Sequence, residues 1–237
     1  MEIKVAIAKI DKHGYSNSGD TVEVTERPNG GISIVMADGQ IDQRNNKAIS
    51  SMVSHRVIDH ISEGVRDGAS IRTAANRIFN EYEGRVEANL CVISADLQTN
   101  TIIISRNNPL PVFLISEETV DCLFSESERI GSHSEVTPSI IELPIRAEMT
   151  VVAFSDGIYH AGRHNQQSMD VCTTIEAFID EQEPTAKEIA EFLLQRAIRL
   201  DDEKPQDDMS IIVLQVSSRP SDDIRRINIS LPVNLSG

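Results

Sequence analysis

Apolar residues along this chain change period in blocks, and the order of those blocks restricts the architecture more than any other feature. Strand-like segments occupy residues 3–10, about 20–25, and Ile32-Ser33-Ile34-Val35-Met36-Ala37, with Arg27-Pro28-Asn29-Gly30-Gly31 as the turn of a hairpin. Helical spacing follows: Ile41, Ala48, Ile49, Met52, Val53, Val57, Ile58, Ile61 and Val65 fall on one face. A break at Asp67-Gly68 precedes a second predicted helix from about Ser70, its N-cap, with Ile71, Ala74, Ala75, Ile78, Phe79 and Tyr82 as the buried face. Strands resume at Leu90–Ala95, Thr101–Ser105, Val112–Ile115, Ser139–Leu143 and Thr150–Phe154. A short helix near Met169–Ile179 and a longer one over Ala186–Leu200 come next, the second opened by a Thr185/Glu188 capping box after Pro184. Met209–Val216 closes as a buried strand. Strands in blocks around a helix pair fit two packed sheets with helices outside, an α+β layered sandwich, and not strict βαβ alternation.

The core of such a domain must be aliphatic, because aromatics make up 4% of the 237 residues and Trp is absent. A formal net charge of −15 leaves no basic stripe to neutralise nucleic acid or an anionic membrane. No run approaches the roughly 18 apolar residues of a membrane span, and Met1-Glu2-Ile3-Lys4-Val5 opens a strand and not a signal peptide. Cys91, Cys122 and Cys172 share no metal-ligand spacing and are odd in number, so free thiols and a cytoplasmic location are expected.

Four acidic motifs fall at the borders of the apolar runs: Gly19-Asp20, Ala37-Asp38-Gly39, Phe154-Ser155-Asp156-Gly157 and Asp207-Asp208-Met209-Ser210. A lone Asp-Gly is most often a turn. Four together, on strands expected in one sandwich, are different, because crowded carboxylates repel unless divalent cations lie between them. Asp156 ends a strand expected to be central, and no basic residue stands nearby in sequence to pair with it. A hard-metal site and two-metal hydrolysis follow as expectations.

As an ordered set spanning residues 3–216, these motifs resemble the metal-dependent protein phosphatases, the PPM or type-2C superfamily, and specifically its bacterial SpoIIE-like serine/threonine branch. The resemblance implies a four-layer α-β-β-α sandwich with two central, mainly antiparallel sheets and a dinuclear manganese or magnesium site at one edge. It implies that Asp38 bridges two ions, that Asp156 and Asp207 complete the ligands of one, and that Asp20 and the Gly39 carbonyl serve the other. Asp208 takes a supporting role. A water activated between the ions would attack the phosphorus of a phosphoserine or phosphothreonine, and the cations would offset the repulsion between phosphate and an acidic protein. The implied partner is a phosphorylated regulator of the anti-sigma-factor-antagonist type, in partner-switching or stress signalling. With no sensor or membrane domain in the sequence, signal input is expected to come from partners.

Two stretches depart from that pattern. Gly39 is followed by Gln40-Ile41-Asp42-Gln43 where the family has a small or Gly-rich segment, and the turn often written Gly-His-Pro reads Asn107-Asn108-Pro109. Asn replaces an anionic ligand poorly, which argues against a third ion. Two rival readings follow: a pseudophosphatase that binds without turnover, and a two-metal phosphoesterase for nucleotides or small phosphates. His160, four residues after Asp156, is a candidate proton donor set against the commoner solvated histidine. Nothing in the sequence marks a nucleotide site. Beyond the 1–218 phosphatase domain, residues 219–237 form an extension in which Ile227, Ile229, Leu231, Val233 and Leu235 alternate. Strand period there predicts an edge strand docked on the chain's own sheet or on a second subunit.

Overall fold

Two antiparallel sheets lie face to face, each covered on its outer side by helices. The computed structural model describes residues 1–15, 18–42, 44–116, 119–181, 183–218 and 222–232. Strands β1 (Glu2–Ile10), β2 (Asp20–Glu26), β3 (Gly31–Ile41) and β4 (Arg44–Asn45) precede helices α1 (Lys47–Ser62) and α2 (Asp67–Tyr82). Then come β5 (Val86–Asp96), β6 (Thr101–Asn107), β7 (Val112–Ser116), β8 (Thr119–Leu123), β9 (Ser139–Pro144) and β10 (Thr150–Phe154). A single helical turn α3 (Asp156–Tyr159), α4 (Val171–Glu181), α5 (Ala186–Leu200) and β11 (Met209–Ser217) complete the order. One sheet runs β1-β11-β10-β7-β8 and the other β2-β3-β5-β6-β9, with β4 paired to the end of β3.

Alternation along each central strand divides its side chains between two interiors. In β11, Ile211 and Val213 pack under α5 with Leu193 and Ala197, while Ile212, Leu214 and Val216 face the opposite sheet. In β3, Val35 and Ala37 meet Val53 and Val57 of α1, while Ile34 and Met36 meet Ile212 and Ala153 across the gap. Strands buried on both faces read as continuous apolar runs, which is why β10 and β11 stand out in the sequence. The four expected layers are present. No helix among the described residues is long and apolar enough to cross a membrane.

The elements differ from expectation in four places. α2 starts at Asp67, with Arg66 as an extended N-cap lacking any side-chain cap bond, so Asp67-Gly68 opens the helix instead of breaking it. Ser70 lies inside, its hydroxyl donating to the carbonyls of Arg66 and Val65. β3 runs on to Ile41, so Asp38 is an internal strand residue, and α1 begins only after Asn46, whose side chain accepts from the Ala48 and Ile49 amides. The half-exposed edge strand β8 lies between Val112–Ile115 and Ser139–Leu143, an interval with no expected strand. Finally, residues 222–232 form no strand: Ile227, Ile229 and Leu231 are 74–79% exposed, and Arg225 pairs with Glu26 at 3.1 Å. Within the described residues 222–232 the extension adds no strand to either sheet. Val233 and Leu235 lie outside the described residues, as do Gln43 and 219–221.

Candidate metal centre and active site

The four acidic motifs meet at one end of the sandwich, on strands of both sheets. Antiparallel pairing sets Asp20 of β2 opposite Asp38 of β3, and Asp38 opposite Asn89 of β5. Asp38 lies on the face of β3 that looks into the gap between the sheets, the face of Ile34 and Met36. Asp156 begins α3 from the end of β10, and Asp207 and Asp208 immediately precede β11. Because β10 and β11 are paired neighbours, their two acidic ends are brought side by side.

Glycine permits the two closest approaches. A Cβ on Gly157 would lie 2.1 Å from the Asp208 carbonyl oxygen, so only glycine lets α3 turn beside the β11 entry. A Cβ on Gly39 would lie 2.3 Å from the Ser50 nitrogen, where α1 crosses β3. Ser155 ties the same corner: its hydroxyl donates to the Asp208 carbonyl at 3.2 Å and accepts from the Ser210 amide at 2.9 Å.

Each carboxylate has its own environment. Asp20 is 1% exposed and accepts from the Ser210 hydroxyl at 2.7 Å. Burial and then the neighbouring Asp38 hold it well above the ordinary carboxylate range, against the hydrogen bonds of Ser210 and Ser155. Asp38 is pushed up to about 7, by burial first and by Asp156 next, while the amide of Asn89 opposes the shift; Asp207 raises it further and Arg129 lowers it. Asn89 Nδ2 donates to Asp38 Oδ2 at 3.1 Å, but Asp38 Oδ1 and Asn89 Oδ1 are both buried without a hydrogen-bond partner. Asp207 is raised by burial and by Asp156, although it accepts from the Asp208 amide and from Asn45 Nδ2, each at 2.9 Å. Asp38 and Asp156 line one small recess together with Met36, Asn89, Asn108 and Phe154.

Asp208 does something different. Its two oxygens accept the Lys12 amide at 2.9 Å and the Gly19 amide at 2.6 Å, which fixes the loop between β1 and β2. It positions Asp20 through the backbone. The Gly39 carbonyl accepts from the Asn46 amide at 2.7 Å, with one lone pair remaining. His160 is exposed, and burial of its ring and nearby Arg163 push its pKa down, with Asp156 opposing. Asn108 is structural: Nδ2 donates to the Leu90 carbonyl at 3.1 Å and Oδ1 accepts from the Leu110 amide at 3.0 Å. Burial lifts the Cys91 thiol to about 12, an inert core residue.

Among the described residues no three acidic, imidazole or thiol side chains converge closely enough to clasp an ion as they stand. The donor set nevertheless fits a hard cation: all oxygen, mutually repelling, buried at Asp20 and Asp38, and with an orphaned acceptor on Asp38. Sequence reasoning missed Asn89, Asn45, Ser155 and Ser210 as the groups that orient these carboxylates. Ser155 and Ser210 stand inside the acidic motifs and Asn89 directly before an apolar strand, whereas Asn45 carried no signal.

Comparison with known proteins bears on the fold and the family. A profile of the Stage II sporulation protein E (SpoIIE) family matches residues 28–217. A Stage II sporulation protein E from Priestia megaterium is 18% identical over 214 residues, covering 90% of this chain; the chain spans 36% of that relative's length. The PP2C phosphatase domain and a regulatory-domain fragment of SpoIIE from Bacillus subtilis superpose with a TM-score of 0.74 at 19% identity, covering 91% of this chain and 64% of that one. A serine/threonine phosphatase of S. agalactiae gives 0.71 at 16% identity, covering 91% and 100% of the two chains. The catalytic domain of the serine/threonine phosphatase PstP, solved with two manganese ions, gives 0.71 at 16% identity, covering 91% and 99%. With the PP2C phosphatase fold established and four-fifths of its length matched by the profile, this chain belongs to the SpoIIE family.

Proposed function

We propose that the protein is a metal-dependent phosphatase that hydrolyses phosphoserine or phosphothreonine on a regulatory protein. The observation that carries this reading is the mutually repelling set of Asp20, Asp38, Asp156 and Asp207, with Asp20 and Asp38 buried and Asp38 Oδ1 unpartnered. Two divalent cations, manganese as in PstP or magnesium, would supply positive charge for the phosphoryl oxygens and an acidified water as nucleophile. Asp38 raises the pKa of Asp20 and is itself raised by Asp156 and Asp207, so it interacts with both groups and would be shared by both ions. The free lone pair of the Gly39 carbonyl would join Asp20. Ser210, Asn89 and Asn45 each spend one hydrogen bond on a carboxylate oxygen and so fix its rotamer before substrate arrives. Asp208 holds the Gly19 end of the β1–β2 loop, and Asn108 the β6–β7 turn.

The substrate is proposed to be a phosphorylated regulator of the anti-sigma-factor-antagonist type, in a cytoplasmic partner-switching circuit. One observation favours a binding module without turnover, namely the Gln40-Ile41-Asp42 segment that follows Gly39. Hydrolysis of a phosphoserine peptide, a phosphothreonine peptide and a nucleoside triphosphate, with and without manganese, separates these readings. Metal-dependent release of phosphate from the peptides supports the proposal; release from the nucleotide alone, or from nothing, overturns it.

A further inference from the structure

The carboxylate cluster leaves unexplained which group of the chain itself receives an anionic substrate. The loop after β8 answers this. Ile130 forms a two-way backbone bridge with Ala88 of β5, both bonds 2.9 Å, and its side chain packs with Ala88 under the α1–α2 layer. Alternation therefore turns Arg129 to the opposite face, the one that carries Asn89 and Asp38. There its Nη1 donates to Gln40 Oε1 at 3.3 Å and lies 3.6 Å from a carboxylate oxygen of Glu87. Gln40 in turn donates to Asn45 Oδ1 at 3.4 Å, and Asn45 Nδ2 donates to Asp207. A chain of side chains thus runs from Arg129 along the rim to the carboxylates, and Gln40, the residue that breaks the family's small-residue pattern, is its central link.

We propose that Arg129 is the phosphoryl-binding residue of this site, held beside the carboxylates by Gln40 and engaged by substrate in place of Glu87. The inference rests on the phosphatase reading above and names the recognition group of the same site. Gln40 is two residues from Asp38 on one strand face, about 7 Å away, so a guanidinium beyond it can reach a phosphate bound over Asp38. Among the described residues both polar contacts of the Arg129 side chain fall on Nη1, leaving the Nε and Nη2 hydrogens for the paired geometry that phosphate accepts. The side chains of Arg129 and Glu87 are 36% and 42% exposed, so their ion pair is weak and exchangeable. Arg129 is also the cation acting on Asp38, where the other charges are Asp156 and Asp207. In a chain of net charge −15, a fixed cation at this spot offsets the approach of an anion.

Arg129→Gln keeps the stem and the backbone bridge, and so the fold, while removing the charge. With magnesium present, KM for a phosphoserine peptide and for p-nitrophenyl phosphate should rise about tenfold to hundredfold, the range for one charge-assisted bidentate contact, with kcat changed much less. Arg129→Lys should recover only part, since an ammonium cannot present two parallel donors. Glu87→Gln, which removes the competing carboxylate, should lower KM about twofold or threefold. Orthophosphate binding to the magnesium-loaded protein, followed by calorimetry, gives a readout without turnover. It should weaken in Arg129→Gln by the same factor as KM. A wild type that hydrolyses no phosphoester removes the phosphatase reading, and the orthophosphate measurement then judges Arg129 alone. KM and orthophosphate affinity within twofold of wild type in Arg129→Gln would overturn the proposal.

Discussion

The two ends of the β2–β3–β5 sheet bury acidic charge in opposite ways. At the hairpin end Arg27 is wedged between two carboxylates, 2.6 Å from Asp67 and 3.3 Å from Asp96, with the hydroxyls of Ser33 and Ser94 within 3.3 Å of its Nη1. At the other end, Asp38 lies five residues along β3 from Ser33, roughly 17 Å away, opposite Asp20, and among the described residues neither carboxylate makes an ion pair within 4 Å. The first arrangement is self-contained: it joins the hairpin to the start of α2 and to the end of β5. The second is incomplete within the chain, and its carboxylates are driven toward protonation in the absence of cations. The same residue type is therefore structural where the chain supplies the counter-charge and receptive where it does not.

Removing the compensating cation should have the largest effect. Arg27→Met leaves Asp67 and Asp96 without it and should cost about 3–5 kcal/mol of stability, read as a lower urea midpoint. A midpoint unchanged within error would show that the hairpin end is not held this way. At the open end, Asp38→Asn should reduce metal-dependent hydrolysis at least about a hundredfold, because the site loses its shared carboxylate. The same change should leave the metal-free protein as stable as wild type or more so, since it removes a buried repulsion. Near-wild-type turnover by a folded Asp38→Asn protein would end the two-metal reading.

Acidity sharpens the contrast further. Asp38 titrates near 7 in the metal-free fold against about 4 in the unfolded chain, so the folded state holds protons that the unfolded state has released. The resulting stability is complete below about pH 4 and is lost as pH rises through 7. Asp20 and Asp207 shift in the same direction. Metal-free protein should therefore melt several degrees lower at pH 8 than at pH 5.5, and millimolar magnesium should narrow that gap by binding the ionised cluster. A magnesium-induced rise in melting temperature that is the same at both pH values would contradict the shared origin of the two effects. The smallest effect belongs to the exposed pair beside Arg27. Arg225 and Glu26 are each about two-thirds exposed, so deletion after Ser218 should move the melting temperature of the monomer by no more than about 1 °C. A drop of several degrees, or a changed sedimentation coefficient, would assign the 222–232 stripe to a docked role, in the latter case on a second subunit.

Where the sequence spoke clearly, its physics was local. β10 and β11 announce themselves as unbroken apolar runs, and Thr185 with Glu188 forms the capping box that opens α5, Thr185 N donating to Glu188 Oε2 at 2.8 Å. The four acidic motifs were visible, and the structure brings them to one end. The missing parts depend on distant partners. Asp67 opens α2 with its carboxylate on Arg27, 40 residues earlier, which no local rule reveals. Asp208 reads as a second copy of Asp207, yet its oxygens go to amides 189 and 196 residues away. β8 is short and half-exposed, so its pattern is that of a loop. The alternation at 227–231 is a pattern whose apolar residues stay exposed among the described residues.

The position of β11 has a consequence for how the molecule comes into being. Among the described residues β1 pairs in its sheet only with β11, which follows every other strand of that sheet in the sequence, through nine register pairs. Until β11 inserts between β1 and β10, that sheet lacks its centre, and neither Asp207 nor the Asp208 clamp on Gly19 is in place. The other sheet, β2-β3-β5-β6-β9, is complete by Pro144 and can be assembled much earlier in synthesis. A nascent or C-terminally clipped chain thus has half a sandwich and no competent cluster. Its slowest folding event should be the long-range closure of β1 onto β11, so acquisition of metal sensitivity should trail the bulk of secondary structure during refolding.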